Sequence, residues 1–368
     1  MISPARLDRL RRALRRRGLD ALLVTQPENR RYLSGFKAPD HGINESSGVL
    51  LLPVSGTPFL LTDGRYRIQA EAEAEAPGFQ VKVYPRGLFP LLRRLFSSLK
   101  PARLAFESHY LLHSVYGGLK QVAEEKRVDL VGLTGLVEDQ RRIKDPGELA
   151  LIEEAVRLNE EVFASVWPQL KPGLSEKEVA WLIEDTMRRK GAEGPSFSTI
   201  VAAGANGAMP HAVPSSRPLA AGEPIIIDMG LKTEGYCSDM TRTVVLGEVD
   251  GRTRELIRLV RRAQLAGLEA LRPGVAGRFV DRVARRVIEE AGYGDYFGHS
   301  LGHGVGLNVH EGPSLSYRHR KMLRPGMVVT VEPGVYLPGW GGVRLENMAV
   351  ITEDGCRVLN GDTTFLDL

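Results

Sequence analysis

Short apolar runs alternate with stretches of helical spacing through the first third of the chain. DALLVT (20–25), GVLLLP (48–53) and PFLLT (58–62) are compact apolar runs bounded by Gly, Pro or Asp, and each predicts a buried strand. RIQAEAEAEA (67–76) is rich in helix formers, and LFPLLRRLFSSL (88–99) repeats its apolar residues at helical spacing, so both predict helices. Leu7, Leu10 and Leu14 recur on one side of an N-terminal helix whose other faces are filled by arginine. No aromatics interleave with those arginines, so the helix reads as an amphipathic surface element rather than a nucleic-acid patch. The alternation implies an α/β domain over residues 1–132. A second domain, 133–368, follows, in which Asp145 is placed to cap a helix with Pro146 at its first position and Glu148 at its third.

The second domain repeats itself. LKPGLSEKEVAWLIEDTMRRKGAEG starts at Leu170 and LRPGVAGRFVDRVARRVIEEAGYG at Leu271. Each is a Leu-basic-Pro-Gly turn followed by an amphipathic helix that ends at Gly, the first opened by a capping box from Ser175 to Glu178. Each copy reaches a histidine at a similar distance, His211 (211 − 170 = 41) and His310 (310 − 271 = 39). Each continues to a second turn, LAAG (219–222) and LRPG (323–326), and six residues later to an acid that closes a β-rich run, Asp228 and Glu332. Several matched features in the same order predict a duplicated α+β unit with pseudo-twofold symmetry, its halves facing each other across a cleft.

A second acid follows in each half, Asp239 eleven residues after Asp228 and Glu346 fourteen after Glu332. Both gaps read as hairpins, the first centred between Thr233 and Glu234, the second on Gly339. Pairing about those centres sets the two acids of each half directly opposite one another, with Cβ atoms about 4.5–5.5 Å apart. Such carboxylates repel unless a proton or cation lies between them. A purely structural account would bury four of them unpartnered, at a cost on the order of several kcal/mol each. Among the histidines of this domain, His303 sits in GHSLGHGVGLNVH, between His299 and His310, where glycines let backbones crowd together. One imidazole, that of His303, with Asp228, Asp239, Glu332 and Glu346 makes a hard, oxygen-rich donor set. It suits Mn, Co, Zn or Fe in a two-metal site better than a thiolate zinc site.

Composition narrows the setting. Hydrophobic residues are 43% and charged residues 26%, which is ordinary for a globular chain. Two cysteines, Cys237 and Cys356, cannot staple 368 residues, so a reducing compartment, the cytoplasm, is expected. The N-terminus carries arginine where a signal peptide needs its apolar stretch, and no run is long enough to span a bilayer.

Four segments carry a family resemblance: PSFSTIVAAGANGAMPHAVPS (195–215), IIIDMGLKTEGYCSDMTRTVVLG (225–247), HSLGHGVGLNVHEGP (299–313) and VVTVEPGVYLPGWGGVRLENMAVIT (328–352). With QPENRRYLSGF (26–36), LTDGRYRIQA (61–70) and RRIKDPGELALIEEA (141–155), they resemble the aminopeptidase P/prolidase branch of the pita-bread metallopeptidases. The resemblance implies a creatinase-type N-terminal domain and a pita-bread catalytic domain. It implies an Xaa-Pro peptidase, aminopeptidase or dipeptidase, that uses a hydroxide activated by two divalent metals, Mn, Co or Zn with Mn favoured. Asp228 would bind one metal and His303 the other, with Asp239 and Glu346 bridging; Glu332 would bind the second metal and carry the proton. His310 would polarise the scissile carbonyl, His211 hold substrate, His299 line the pocket for the residue after the cut, and Arg344 anchor acidic or C-terminal groups. His41, in the first domain, is a candidate for recognising a free carboxylate. Peptides with proline second are the implied partners, in a homodimer with no nucleic acid or membrane. Creatinase-like chemistry and a non-catalytic peptide-binding module are the alternatives; relatives of either kind have lost the ligand set that this chain keeps.

Overall fold

The computed structural model describes residues 4–75, 77–361, 363 and 366. The chain divides into two compact units, residues 1–141 and 142–368.

The first unit is built on a mixed six-stranded sheet. Its order is Gln80–Val83, Phe59–Thr62, Val49–Pro53, Ala21–Val24, Arg103–Glu107, Asp129–Leu133. The three apolar runs read as strands are three of its four inner strands, and the stretches at 67–76 and 88–99 form helices Arg67–Ala74 and Leu88–Leu99. Helix Pro4–Arg16 buries Leu10 and Leu14. Several of its arginines are spent on the unit's own carbonyls: Arg6 Nη1 donates to Tyr32 O (3.0 Å), Arg11 Nε to Pro53 O (3.3 Å) and Arg15 Nη2 to Val54 O (3.0 Å). That is the behaviour of an amphipathic surface helix.

The second unit opens with helix Pro146–Val166, capped reciprocally by Asp145 and Glu148. The duplication shows in its hydrogen bonds. Helices Glu176–Arg189 and Gly277–Glu290 are 14 residues each. Ahead of the first, Gly173 N–H donates to Leu219 O (2.9 Å) and Leu219 N–H to Leu174 O (2.8 Å). Ahead of the second, Gly274 N–H donates to Leu323 O (2.9 Å) and Leu323 N–H to Val275 O (2.8 Å). The caps differ, because Ser175 forms a capping box with Glu178 while Ala276 has no capping side chain. Strands Ile200–Ala203, Pro224–Met229 and Met240–Val245 form one antiparallel sheet with the second in the middle. Gly302–Gly304, Val328–Val331 and Asn347–Ile351 repeat that order within a five-stranded sheet. Each half buries its own apolar core, the first drawn from residues 155–246 and the second from 256–366. The halves are stitched where Thr243 Oγ1 donates to Arg344 O (2.8 Å) and Glu346 N–H donates to Thr241 O (3.1 Å).

One hairpin has the expected register and the other does not. Gly334 pairs with Arg344 and Val331 with Asn347, so the second hairpin is centred on Gly339 and Glu332 stands opposite Glu346. In the first, Thr233 pairs with Tyr236 and Met229 with Met240, so Asp228 stands opposite Thr241 and not Asp239. The turn is Glu234–Gly235, both with left-handed φ (47° and 78°). That two-residue turn matches strand twist, puts Gly235 at one left-handed position and keeps the β-branched Thr233 out of the other. Asp239 therefore lies diagonal to Asp228, two residues nearer the turn than Thr241. Among the described residues, no helix is long and apolar enough to cross a membrane.

Candidate metal centre

Asp228 sits on the middle strand of the first half's sheet and Asp239 just ahead of the neighbouring strand. His303 lies in strand Gly302–Gly304, Glu332 directly after Val328–Val331, and Glu346 between Gly341–Arg344 and Asn347–Ile351. All five line one cavity of about 560 Å³, together with His211, His299, His310 and Arg344. Donor atoms of Asp239, His303 and Glu346 lie within 4.8 Å of one another. His303 Nε2 is 3.6 Å from Asp239 Oδ2 and 3.3 Å from Glu332 Oε1. Asp228 is drawn to one side, its Oδ2 accepting from Arg344 Nη2 at 2.7 Å.

The donor set fits divalent cations. Asp228 Oδ1 and Glu346 Oε1 are buried without a hydrogen-bond partner, which is costly for a carboxylate unless a cation takes the lone pairs. His303 Nδ1 faces Gly304 O at 3.1 Å, so that bond carries its proton and Nε2 is left as a ligand lone pair. Burial pushes the Asp239 and Glu332 carboxyls well above the usual carboxylate range, with Glu346 the next cause for both. Burial and then Asp228 push Glu346 up to about 8. Burial lowers His303 to about 4, which keeps it neutral. Metal-free, Glu346 at about 8 keeps its proton at neutral pH, and a cation would displace it.

The backbone at His303 depends on its glycine neighbours. A Cβ at Gly302 would lie 2.1 Å from Thr330 O, and one at Gly304 would lie 2.3 Å from Gly312 O. Both obstacles are backbone, so neither can swing away. Gly304→Ala is expected to cost about 3 kcal/mol, the upper end of overpacking, and to displace His303. Thermal unfolding and metal retention after dialysis check this; an unchanged Tm would show that the strands can move apart freely.

A second network runs beside these candidate donors. Arg344 Nη1 donates to Tyr336 Oη (2.9 Å) and to Pro210 O (3.2 Å), and Arg344 Nε to Thr241 Oγ1 (3.2 Å). Tyr336 Oη lies 2.8 Å from His299 Nε2, and His299 Nδ1 lies 2.8 Å from Ser300 O. Burial lowers His299 to about 4 and raises Tyr336 to about 12, so a neutral imidazole accepts from a neutral phenol. Thr241 Oγ1 donates to Glu346 Oε2 (2.8 Å). Thr330 Oγ1 accepts from His303 N–H (3.0 Å) and donates to Glu332 Oε1 (3.2 Å). Tyr336, Thr241 and Thr330 were not singled out from the sequence, though each stands two or four residues from a ligand, on the same face of an extended strand. His310 is exposed at the cavity, its ring centroid 4.4 Å from that of His303, and His211 is exposed on the wall contributed by the first half. His41 lies in the first unit, exposed, its N–H donating to Glu45 O at 3.2 Å.

The model of metallopeptidase family M24 matches residues 150–353, and that of the creatinase/prolidase N-terminal domain matches residues 6–143. An Xaa-Pro dipeptidase of Pyrococcus furiosus is 34% identical, over 96% of this chain and 97% of its own. The solved structure of an Xaa-Pro dipeptidase from Bacillus anthracis is 36% identical with a TM-score of 0.90, over 97% of both chains. An X-Pro aminopeptidase structure from Thermotoga maritima is 37% identical with a TM-score of 0.86, over 95% of this chain and 98% of its own.

Proposed function

We propose, from the fact that this chain belongs to metallopeptidase family M24, that it is a metal-dependent Xaa-Pro peptidase. It cleaves the bond between a peptide's first residue and a following proline. The fold is the family's, a creatinase-type N-terminal domain ahead of a pita-bread catalytic unit. The observation that carries the reading is the pair of buried, unpartnered carboxylate oxygens on Asp228 and Glu346 beside the Asp239–His303–Glu346 cluster.

Asp228, Asp239, His303, Glu332 and Glu346 would hold two divalent cations, for which Mn, Co and Zn all suit the donors. Bound there, the cations supply Lewis acidity toward the scissile carbonyl and make water acidic enough to react at neutral pH. Glu332 takes the proton of the attacking water and delivers it to the leaving nitrogen. That nitrogen belongs to a tertiary amide with no N–H to grip and a fixed φ, so a dedicated pocket must hold the proline ring. His299, neutral and held by Tyr336, forms part of that pocket's wall. His310, beside His303, donates to the developing oxyanion, and His211 holds the substrate from the other wall. Arg344 has all three guanidinium nitrogens engaged, so its first task is holding Asp228; a substrate carboxylate reaches it only in competition with that acid. Two cysteines are too few to staple a chain of 368 residues, which supports a cytoplasmic setting, and the family resemblance supports a homodimer.

The test is turnover after chelator dialysis and again after adding back Mn²⁺, Co²⁺ or Zn²⁺. The panel is an Xaa-Pro dipeptide, an Xaa-Pro-Xaa tripeptide and an Xaa-Ala control. Cleavage confined to the proline peptides and dependent on metal is expected, and the dipeptide-to-tripeptide ratio separates dipeptidase from aminopeptidase. A folded protein that cleaves none of them with any of the metals would end the reading.

A further inference from the structure

We propose that Asp281 and Arg285, on helix Gly277–Glu290, are positioning residues that hold His299 at the wall of the catalytic cavity. The proposal rests on the peptidase reading above. Asp281 takes the Arg285 guanidinium as a fork, with Nε on Oδ2 at 3.0 Å and Nη2 on Oδ1 at 2.9 Å. The same guanidinium grips the segment that carries the histidine at two points. Nη1 donates to Phe297 O and Nη2 to His299 O, each at 2.7 Å. Asp281 Oδ1 also accepts from Leu301 N–H at 3.1 Å. One ion pair therefore fixes backbone groups at residues 297, 299 and 301, on both sides of the imidazole. The guanidinium carbon lies 4.2 Å from the centroid of the Phe297 ring, which meets the His299 ring edge-on at 5.0 Å. With the backbone held, Ser300 O and Tyr336 Oη fix the ring itself.

The internal repeat shows whether the fold needs this pair. The equivalent helices are offset by 101 residues (277 − 176), which matches Asp281 to Ala180, Arg285 to Glu184 and His299 to Ser198. The first half folds the same helix with neither member of the pair. Ser198 lines the cavity at the matching place without a histidine to hold. Pair and histidine occur together, in one half only, so the pair serves the site rather than the helix. A buried fork of this kind is geometrically strict, and lysine cannot span its four acceptors.

The test is a double-mutant cycle on the metal-loaded protein with an Xaa-Pro peptide, using Arg285→Gln, His299→Ala and the double variant. Arg285→Gln is expected to lower kcat/KM about 10- to 100-fold, the scale of a small misplacement near the reacting atoms. The double variant is expected to lose no more than His299→Ala alone. Arg285→Lys should fail to rescue. With Zn²⁺ bound and histidine labelled with ¹⁵N, His299 should show one neutral tautomer, protonated at Nδ1, in the parent and a mixture in Arg285→Gln. Losses that simply add, an unaltered kcat/KM, or an unchanged imidazole signal would each overturn the proposal. Should Arg285→Gln fail to fold, Asp281→Asn runs the same cycle while keeping an acceptor for Leu301. A parent protein inactive on every peptide would end the peptidase reading, and the imidazole signal alone would then uphold or overturn the pair.

Discussion

Glu346→Gln is expected to abolish turnover and yet leave the metal-free protein at least as stable as the parent above pH 8. The glutamate is buried, its Oε2 held by the Thr241 hydroxyl and its Oε1 without a partner. Glutamine keeps the volume and can still accept from Thr241, but it takes away the charge that binds metal. Loss of metal after dialysis and a fall in kcat/KM on the order of 10³-fold or more follow, at least the scale seen when one preorganised electrostatic group is removed. The stability side has the opposite sign. Burial and Asp228 lift the Glu346 carboxyl from 4.5 to about 8 in the fold. A raised pKa means that its stabilising contribution is fully present below about pH 4.5, declines above it and is gone once the pH has passed about 8. The metal-free parent should therefore lose Tm as pH rises from 5 to 9, and the variant should lose less. Thermal unfolding of chelator-treated proteins across that range checks it. A variant less stable than the parent at pH 9, or one that keeps its activity, would show that Glu346 is an ordinary structural acid.

That opposition explains why the site was so legible in the sequence. Four acids, two closing strands at matched places and two following them, make no sense as packing, and chemistry that works against stability leaves such marks. The second hairpin was readable because Gly339 lies midway between Glu332 and Glu346, inside a turn-rich run. The first was misread because its centre was taken from the acids and not from the turn, where Glu234–Gly235 had the better chemistry. Thr241, Thr330 and Tyr336 were within reach of the same argument, since period-two alternation carries each onto a ligand's face. Asp281 and Arg285 were not. In GRFVDRVARRVIEE every charge looks like part of a solvated helix face, and only tertiary packing turns two of them onto Phe297, His299 and Leu301. The cleft itself was implied by the repeat, but the stitching of the halves through Thr243 and Arg344 needed the structure.

Glu332→Gln should separate proton transfer from metal binding. Glu332 follows a strand, its N–H donating to Leu301 O at 2.8 Å, and its Oε1 accepts from the Thr330 hydroxyl at 3.2 Å. The side chain is thus fixed by neighbours that would remain in the variant. Burial, with Glu346 the next cause, raises this carboxyl well above its ordinary range. A carboxyl raised in this way is suited to take a proton from water and return it to an amine. Glutamine can still offer an oxygen to a cation but cannot take that proton. We expect kcat to fall about 10²- to 10⁴-fold, the usual worth of a positioned general base. KM for an Xaa-Pro peptide should stay within about threefold, because no ground-state contact to substrate is removed. Raising the metal concentration discriminates between the two roles. If Glu332 were only a ligand, saturating Mn²⁺ would restore much of the lost rate. If it carries the proton, the rate stays low with both metals bound, and Glu332→Asp, which retains a carboxylate at a shorter reach, recovers part of it.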